Sequence, residues 1–190
     1  MQEQGKPDVA NAAPSSPGDI VETEPFEDKV RTPGIADDEV IDRSVKLIPQ
    51  HFRRSEGGEV RVSASAFNDR SYEPSFYREV LCEDPPYKKP PRMNPDDAVA
   101  SVTIGKVREQ EAITFQSGND TRPTTHRVDV RPEVEGHHAA HVVVFTAPEF
   151  KTKGGFAKLK ELLAQIVGGN WAIRPNDTFL MENTDQIPKK

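Results

Sequence analysis

The clearest pattern along the chain is helical. Over residues 156–167, Phe156, Leu159, Leu162, Leu163, Ile166 and Val167 fall on one arc, and Lys158, Glu161 and Gln165 on the opposite one. That spacing predicts an amphipathic helix with one face against a core. Lys160 lies at the border, where its stem can cover apolar surface. Gly168 and Gly169 supply the stop. Trp171 and Ile173 are expected to fold back onto the core. The last fifteen residues, 176–190, read as a C-terminal tail, in which Phe179, Leu180 and Met181 suggest one more short strand.

Elsewhere the period is two. Residues 140–147 are apolar on both alternations around Val142, Val143 and Val144, as expected of a strand buried on two faces. Residues 127–131 alternate cleanly and end at Pro132. Residues 59–67 place Val60, Val62, Ala64 and Ala66 on one face and Arg61, Ser63 and Ser65 on the other. Gly57 and Gly58 precede them, so a hairpin with a short strand over 45–48 is predicted. Further strands are predicted over 97–107 and 112–115. Phe76, Val80 and Leu81 suggest a short helix or irregular segment that docks Phe67 and Phe76. Five prolines between residues 84 and 97 mark a loop, made basic by Lys88, Lys89 and Arg92.

The implied fold is α+β: a mainly antiparallel sheet with one well-defined amphipathic helix packed on it, in a single domain over residues 39–175. Charge separates this body from what precedes it. Residues 1–38 hold nine of the acidic residues against Lys6, Lys29 and Arg31, which accounts for the whole net charge of −6. The same stretch contains Pro7, Pro14, Pro17, Pro25 and Pro33 and shows no period. It reads as a disordered or extended arm. Val9, Ile20, Val21, Phe26 and Val30 could dock on a protein partner, and the carboxylates would favour a basic surface.

The composition excludes several classes. The longest apolar run is too short to span a bilayer, so no membrane role is expected. A net charge of −6 argues against a nucleic-acid binder, and the basic loop has only Tyr87 as a stacking aromatic. One cysteine, Cys82, rules out a disulfide scaffold. Residues 1–6 have neither a basic start nor a following apolar run, so a reduced, cytoplasmic setting is expected.

Candidate chemistry is sparse. His137, His138 and His141 are the densest group of ligand-type residues, but on a strand only His137 and His141 share a face. No metal site is assigned, because structural zinc sites show four ligands. His141 stands out as a single residue, since it opens the most buried strand, where an imidazole needs a partner. Lys151, Lys153, Gly154 and Gly155 precede the strong helix. Free N–H groups, glycines and two ammonium groups there form a candidate anion site. Cys82 has no histidine nearby in sequence and is read as structural.

One set of residues resembles a known family. Arg53 and Arg54, then Ser63, Ala64 and Ser65, then Glu109, Gln110 and Glu111 follow one another along the chain. This order looks like the pattern of Arg-Ser-Glu ADP-ribosyltransferases. The resemblance implies a nucleotide-handling enzyme in which Arg54 grips dinucleotide phosphates and Ser63 positions the site. Glu111 would support the developing oxocarbenium ion, a charge a carboxylate suits. The departures are the nine residues between Arg54 and Ser63, too few for that family's intervening helices, and the alanine at the centre of the serine motif. No complete catalytic constellation emerges, and no cofactor is assigned. The reading preferred from sequence is a small binding or assembly protein whose acidic arm docks a protein partner.

Overall fold

The computed structural model describes residues 34–82, 94–110, 112–115, 123–133, 139–148 and 152–189. Among them is a seven-stranded sheet in the order β6-β7-β8-β4-β1-β5-β9. The strands are β1 (Val40–Val45), β4 (Ser75–Arg78), β5 (Ala98–Thr103), β6 (Ala112–Phe115), β7 (Thr124–Pro132), β8 (His141–Ala147) and β9 (Trp171–Ile173). Every ladder is antiparallel. A separate hairpin joins β2 (Phe52–Arg54) to β3 (Val60–Val62). Three helices complete the order: α1 (Ile104–Glu109), α2 (Lys153–Val167) and α3 (Asp177–Glu182). The fold is thus mixed, with an antiparallel sheet and one longer helix. No helix of the described residues is long and apolar enough to cross a membrane.

Helix α2 forms where its pattern demands. Phe156, Leu159, Leu163, Ala164 and Val167 are buried on one face, and Gly168 closes the helix at φ +56°. The helix packs against β5, near one edge of the sheet, and β6, at the other, so the sheet curls around it. Val142, Val143 and Val144 of β8 are all essentially solvent-free, as expected of a strand covered on both faces. Phe67 and Phe76 stack with centroids 6.1 Å apart. Phe52 meets Trp171 at 6.0 Å and Phe179 at 5.2 Å. Burying such a ring stabilises the fold by about 1.5–3 kcal/mol.

Several elements differ from the sequence pattern, each for a local reason. The strand expected over 45–48 lies earlier, at Val40–Val45, because Pro49 opens a 3-10 turn and cannot donate to a ladder. The partner of the hairpin is therefore β2. Its turn is closed by Ser55 N–H to Glu59 O at 2.9 Å, with Gly58 at φ +80°. The alternation over 59–67 is extended only as far as Val62. Ser63 and Ser65 both donate their hydroxyls to the Gln50 carbonyl, and Ala64–Phe67 coils into a 3-10 turn. Small Ala and Ser side chains gain little on a pleated surface, so the local bonds prevail. Residues 75–78 are a strand, and the turn at Glu79–Leu81 follows it.

The strand expected over 97–107 divides into β5 and α1. Gly105 sits at the junction, its N–H bonded to Asp37 O at 2.7 Å, where an added Cβ would come within 3.0 Å of that oxygen. The segment expected as a last strand is α3. The Asn176 side chain accepts the Phe179 N–H at 2.7 Å and starts a helix. Residues 176–189 also return to the body. Phe179 belongs to the core, Ile187 is 2% exposed, and Arg54 N–H reaches Pro188 O at 2.8 Å.

The body likewise begins before residue 39. Ile35 is buried, Arg108 grips Asp37 at 2.7 Å and the Ile35 carbonyl at 3.1 Å, and Arg78 holds Glu39 through two bonds of 2.7 and 2.8 Å. The Arg78 bonds hold the Glu39 carboxyl below its usual range, against the opposing effect of burial. Residues 1–33, including the arm's apolar positions, lie outside the described residues.

Candidate functional site

The site grows from the alternation of β1. Ile41 and Val45 face the core, so Asp42 and Ser44 point to the other face of the sheet. The register then aligns polar groups across strands. Asp42 lies opposite Ser101 of β5 and opposite Tyr77 of β4, and Tyr77 lies opposite His141 of β8. Directly paired residues share a face. Ser101, Asp42, Tyr77 and His141 therefore form one transverse row over four adjacent strands. The 3-10 turn Glu79–Leu81 and Cys82 adjoin it at β1.

Ser101 Oγ donates to Asp42 Oδ1 at 2.5 Å. Asp42 is only 6% exposed, and burial pushes its carboxyl up from 3.8 to about 6. The Ser101 bond opposes this rise and the charge of Glu79 adds to it. The Tyr77 ring meets the His141 imidazole edge-on with centroids 5.5 Å apart. His141 Nδ1 lies 2.8 Å from the Glu133 carbonyl, an acceptor, so this nitrogen carries the proton that donates. The Glu133 carboxylate stands 3.6 Å from the same nitrogen. Cys82 Sγ donates to the Arg78 carbonyl at 3.3 Å. Burial first, then the charges of Asp42 and Glu79, push its thiol up to about 11. A thiol so placed stays protonated near neutrality and is a poor nucleophile. A buried carboxyl that titrates near 6 can hold or release a proton there, which is the chemistry of this row.

The described residues singled out by sequence lie on different elements. Arg54 is on β2, Ser63 follows β3, and His141 is on β8 of the seven-stranded sheet. Arg54 Nη1 donates to Gly58 O at 3.4 Å, and its buried Nε has no hydrogen-bond partner among the described residues. Arg53 Nη2 donates to Ala164 O near the end of α2 at 3.1 Å. Ser63 Oγ, besides bonding the Gln50 carbonyl, is 2.8 Å from Ser65 Oγ. Glu111, Lys151, His137 and His138 lie outside the described residues. Thr152 Oγ1 accepts the Gly155 N–H at 3.2 Å and caps α2, with Lys153 and Gly154 exposed and Gly155 buried. Among the described residues no group of three or more His, Cys, Asp or Glu side chains could hold a metal ion.

Of the row, sequence reasoning singled out His141 alone. Asp42, Tyr77 and Ser101 were missed. The signal for Asp42 was available in the alternation Ile41, Asp42, Arg43, Ser44, Val45, once read as a strand. A second buried charge cluster was missed too. Arg108, 7% exposed, donates through Nε to Asp129 Oδ1 at 2.8 Å, and Arg127 reaches Asp129 Oδ2 at 3.5 Å. Comparison with family models, with curated proteins and with solved structures returned no match.

Proposed function

We propose that this chain is a binding or assembly protein in which a folded, charge-balanced body carries an acidic arm that docks a basic protein surface. The observation that carries the reading is the anchorage of the arm's root. Residues 34–39 are tied to the body by buried Ile35, by the Arg108–Asp37 pair and by the two-bonded Arg78–Glu39 pair. An arm over residues 1–33, with seven acidic residues against three basic ones, thus starts from a fixed place on the body. An open depression lined by Asp38, Glu39, Val40, Glu79 and Val80 adjoins that root and continues its acidic character. The hydrogen bonds of Arg53 and Ser63 to main-chain carbonyls also favour this reading over chemistry at those residues.

The test compares the full chain with a deletion of residues 1–33, which leaves Ile35 and Asp37 in place. A defined basic peptide should bind the full chain, weaken steeply between 50 and 300 mM salt, and lose most affinity on deletion, because exposed charges are screened over about 10 Å at 0.1 M salt. Equal affinity of the two chains would sink the reading. Turnover of a nicotinamide dinucleotide by the full chain, abolished by Glu111→Gln, would favour the ADP-ribosyltransferase-like alternative instead.

A further inference from the structure

The Asp42 carboxyl has an unusual set of neighbours. From β5 it is faced by Ser101 and from β4 by Tyr77, while the turn after β4 adjoins β1 and brings the charge of Glu79 to bear on it, with Cys82 following. On its own strand, Ser44 is the next residue on that face and donates to Asp97 at 2.5 Å. Among the described residues Asp42 forms no ion pair, and its one hydrogen bond is from Ser101. A buried carboxylate with a second carboxylate beside it and no cation is stable only while protonated. The element that brings the second carboxylate is small. The Glu79–Leu81 turn is a single 3-10 turn closed by Cys82 N–H to Glu79 O at 3.0 Å, and it leaves Val80 62% and Leu81 42% exposed. With both apolar side chains of the turn largely exposed among the described residues, it belongs to the part of a fold that opens locally at low free-energy cost.

We propose that Asp42 and Glu79 form a proton-controlled latch, in which the Glu79–Cys82 segment lies closed over protonated Asp42 and lets go of β1 when that proton leaves. Opening admits water to the Asp42 carboxylate and separates it from Glu79, which relieves both causes of the acid's unfavourable ionisation. The latch therefore closes below about pH 6 and loosens above it. It is independent of any partner of the arm.

Cys82 reports the latch directly, because it is the chain's one cysteine and is buried when the segment is closed. The experiment measures the rate of its reaction with 4,4′-dithiodipyridine in the full-length folded protein from pH 5 to pH 8. Each rate is divided by that of the urea-unfolded chain at the same pH, which cancels the ordinary pH dependence of a thiol. Protection should fall by about ten-fold over this range, the part of the full effect of about a hundred-fold that lies above pH 5 when the closed acid titrates near 6 and the open one near its ordinary value. At pH 8 low urea should leave the rate nearly unchanged, since a local opening exposes little surface. In Asp42→Asn the protection should be high and flat with pH. In Glu79→Gln it should exceed that of the parent at pH 8 by several-fold, and this variant carries the test if the first does not fold. A flat profile in the parent, an equal slope in Asp42→Asn, a urea dependence matching global unfolding, or no gain in Glu79→Gln would each overturn the latch.

Discussion

Replacing Asp42 by asparagine should make the protein more stable at neutral pH and progressively less so in acid. The side chain is 6% exposed, and its carboxyl is raised by burial from 3.8 to about 6. Between those two values the folded chain keeps a proton that the unfolded chain has already released. Stability therefore falls as pH climbs through this window and is lowest, as far as Asp42 is concerned, once the folded carboxyl has ionised. At about 1.4 kcal/mol for each factor of ten, the full penalty is about 3 kcal/mol. Asparagine is nearly isosteric and keeps an oxygen to accept the Ser101 hydroxyl, but carries no charge at any pH. Urea unfolding of both proteins at pH 4 and pH 7.5, followed by Trp171 fluorescence, isolates the effect, because other titrations cancel between the two chains. The stability of Asp42→Asn relative to the parent should rise by about 2–3 kcal/mol from pH 4 to pH 7.5. In urea that moves the relative midpoint by about 1 M or more. A difference that stays constant within about 0.5 kcal/mol, or that moves the other way, would refute the assignment of Asp42 as a buried acid without a compensating cation.

Other substitutions test the remaining contacts. Arg108→Met should cost about 3–5 kcal/mol by leaving Asp129, with a side chain 4% exposed, short of its closest cation; Arg108→Met with Asp129→Leu should recover most of that loss in the same unfolding assay. The Arg108 change should also speed proteolysis near residue 37, since Asp37 and the Ile35 carbonyl lose their donor. Phe52→Ala should cost about 3–5 kcal/mol and alter Trp171 emission, because Phe52 is fully buried between Trp171 and Phe179. Asn176→Ala should cost about 1 kcal/mol, read as a lowered unfolding midpoint, by freeing the Phe179 N–H that starts α3.

The elements that were legible in the sequence are those whose side-chain pattern alone determines their packing. Helix α2 has a complete apolar arc, and β8 has an unbroken β-branched run, so burial on one face or on two follows from the pattern itself. The misread elements are those in which a single local bond outweighs the pattern. Asn176 and its bond to Phe179 N–H turn an apolar triplet into a helix. Two serine hydroxyls on the Gln50 carbonyl coil a run that alternates as cleanly as a strand. Gly105, pressed against Asp37 O, marks where β5 gives way to α1. Ile35 and Ile187 joined the core from stretches read as an arm and a tail. An isolated apolar residue in a polar stretch carries no period, and only tertiary contact shows that it is buried.

The candidate site was less legible than the fold, and the reason is topological. Ser101, Asp42, Tyr77 and His141 come from four strands that are neighbours only through the order β8-β4-β1-β5. No spacing along the chain marks them, and each alone is an ordinary polar residue of an alternating strand. The Arg, Ser and Glu types that did form an ordered pattern along the chain are common residues, and Glu111 lies outside the described residues. Arg53 and Ser63 each bond a main-chain carbonyl, which stabilises the hairpin and its junction with α2. His141 could be found because a histidine at the mouth of an apolar run is conspicuous by contrast. Asp42 stands between Ile41 and Arg43, where a carboxylate looks solvated and already paired. Strand alternation reverses that reading: Arg43 turns to the opposite face, toward Asp69 at 2.9 Å, and Asp42 is left under the like charge of Glu79. The residue that adjacency along the chain would pair with Asp42 is thus the one the pleat removes from it. Burial first, and then the charge of Glu79, raise this acid to about 6, and Arg43 is not placed to oppose them.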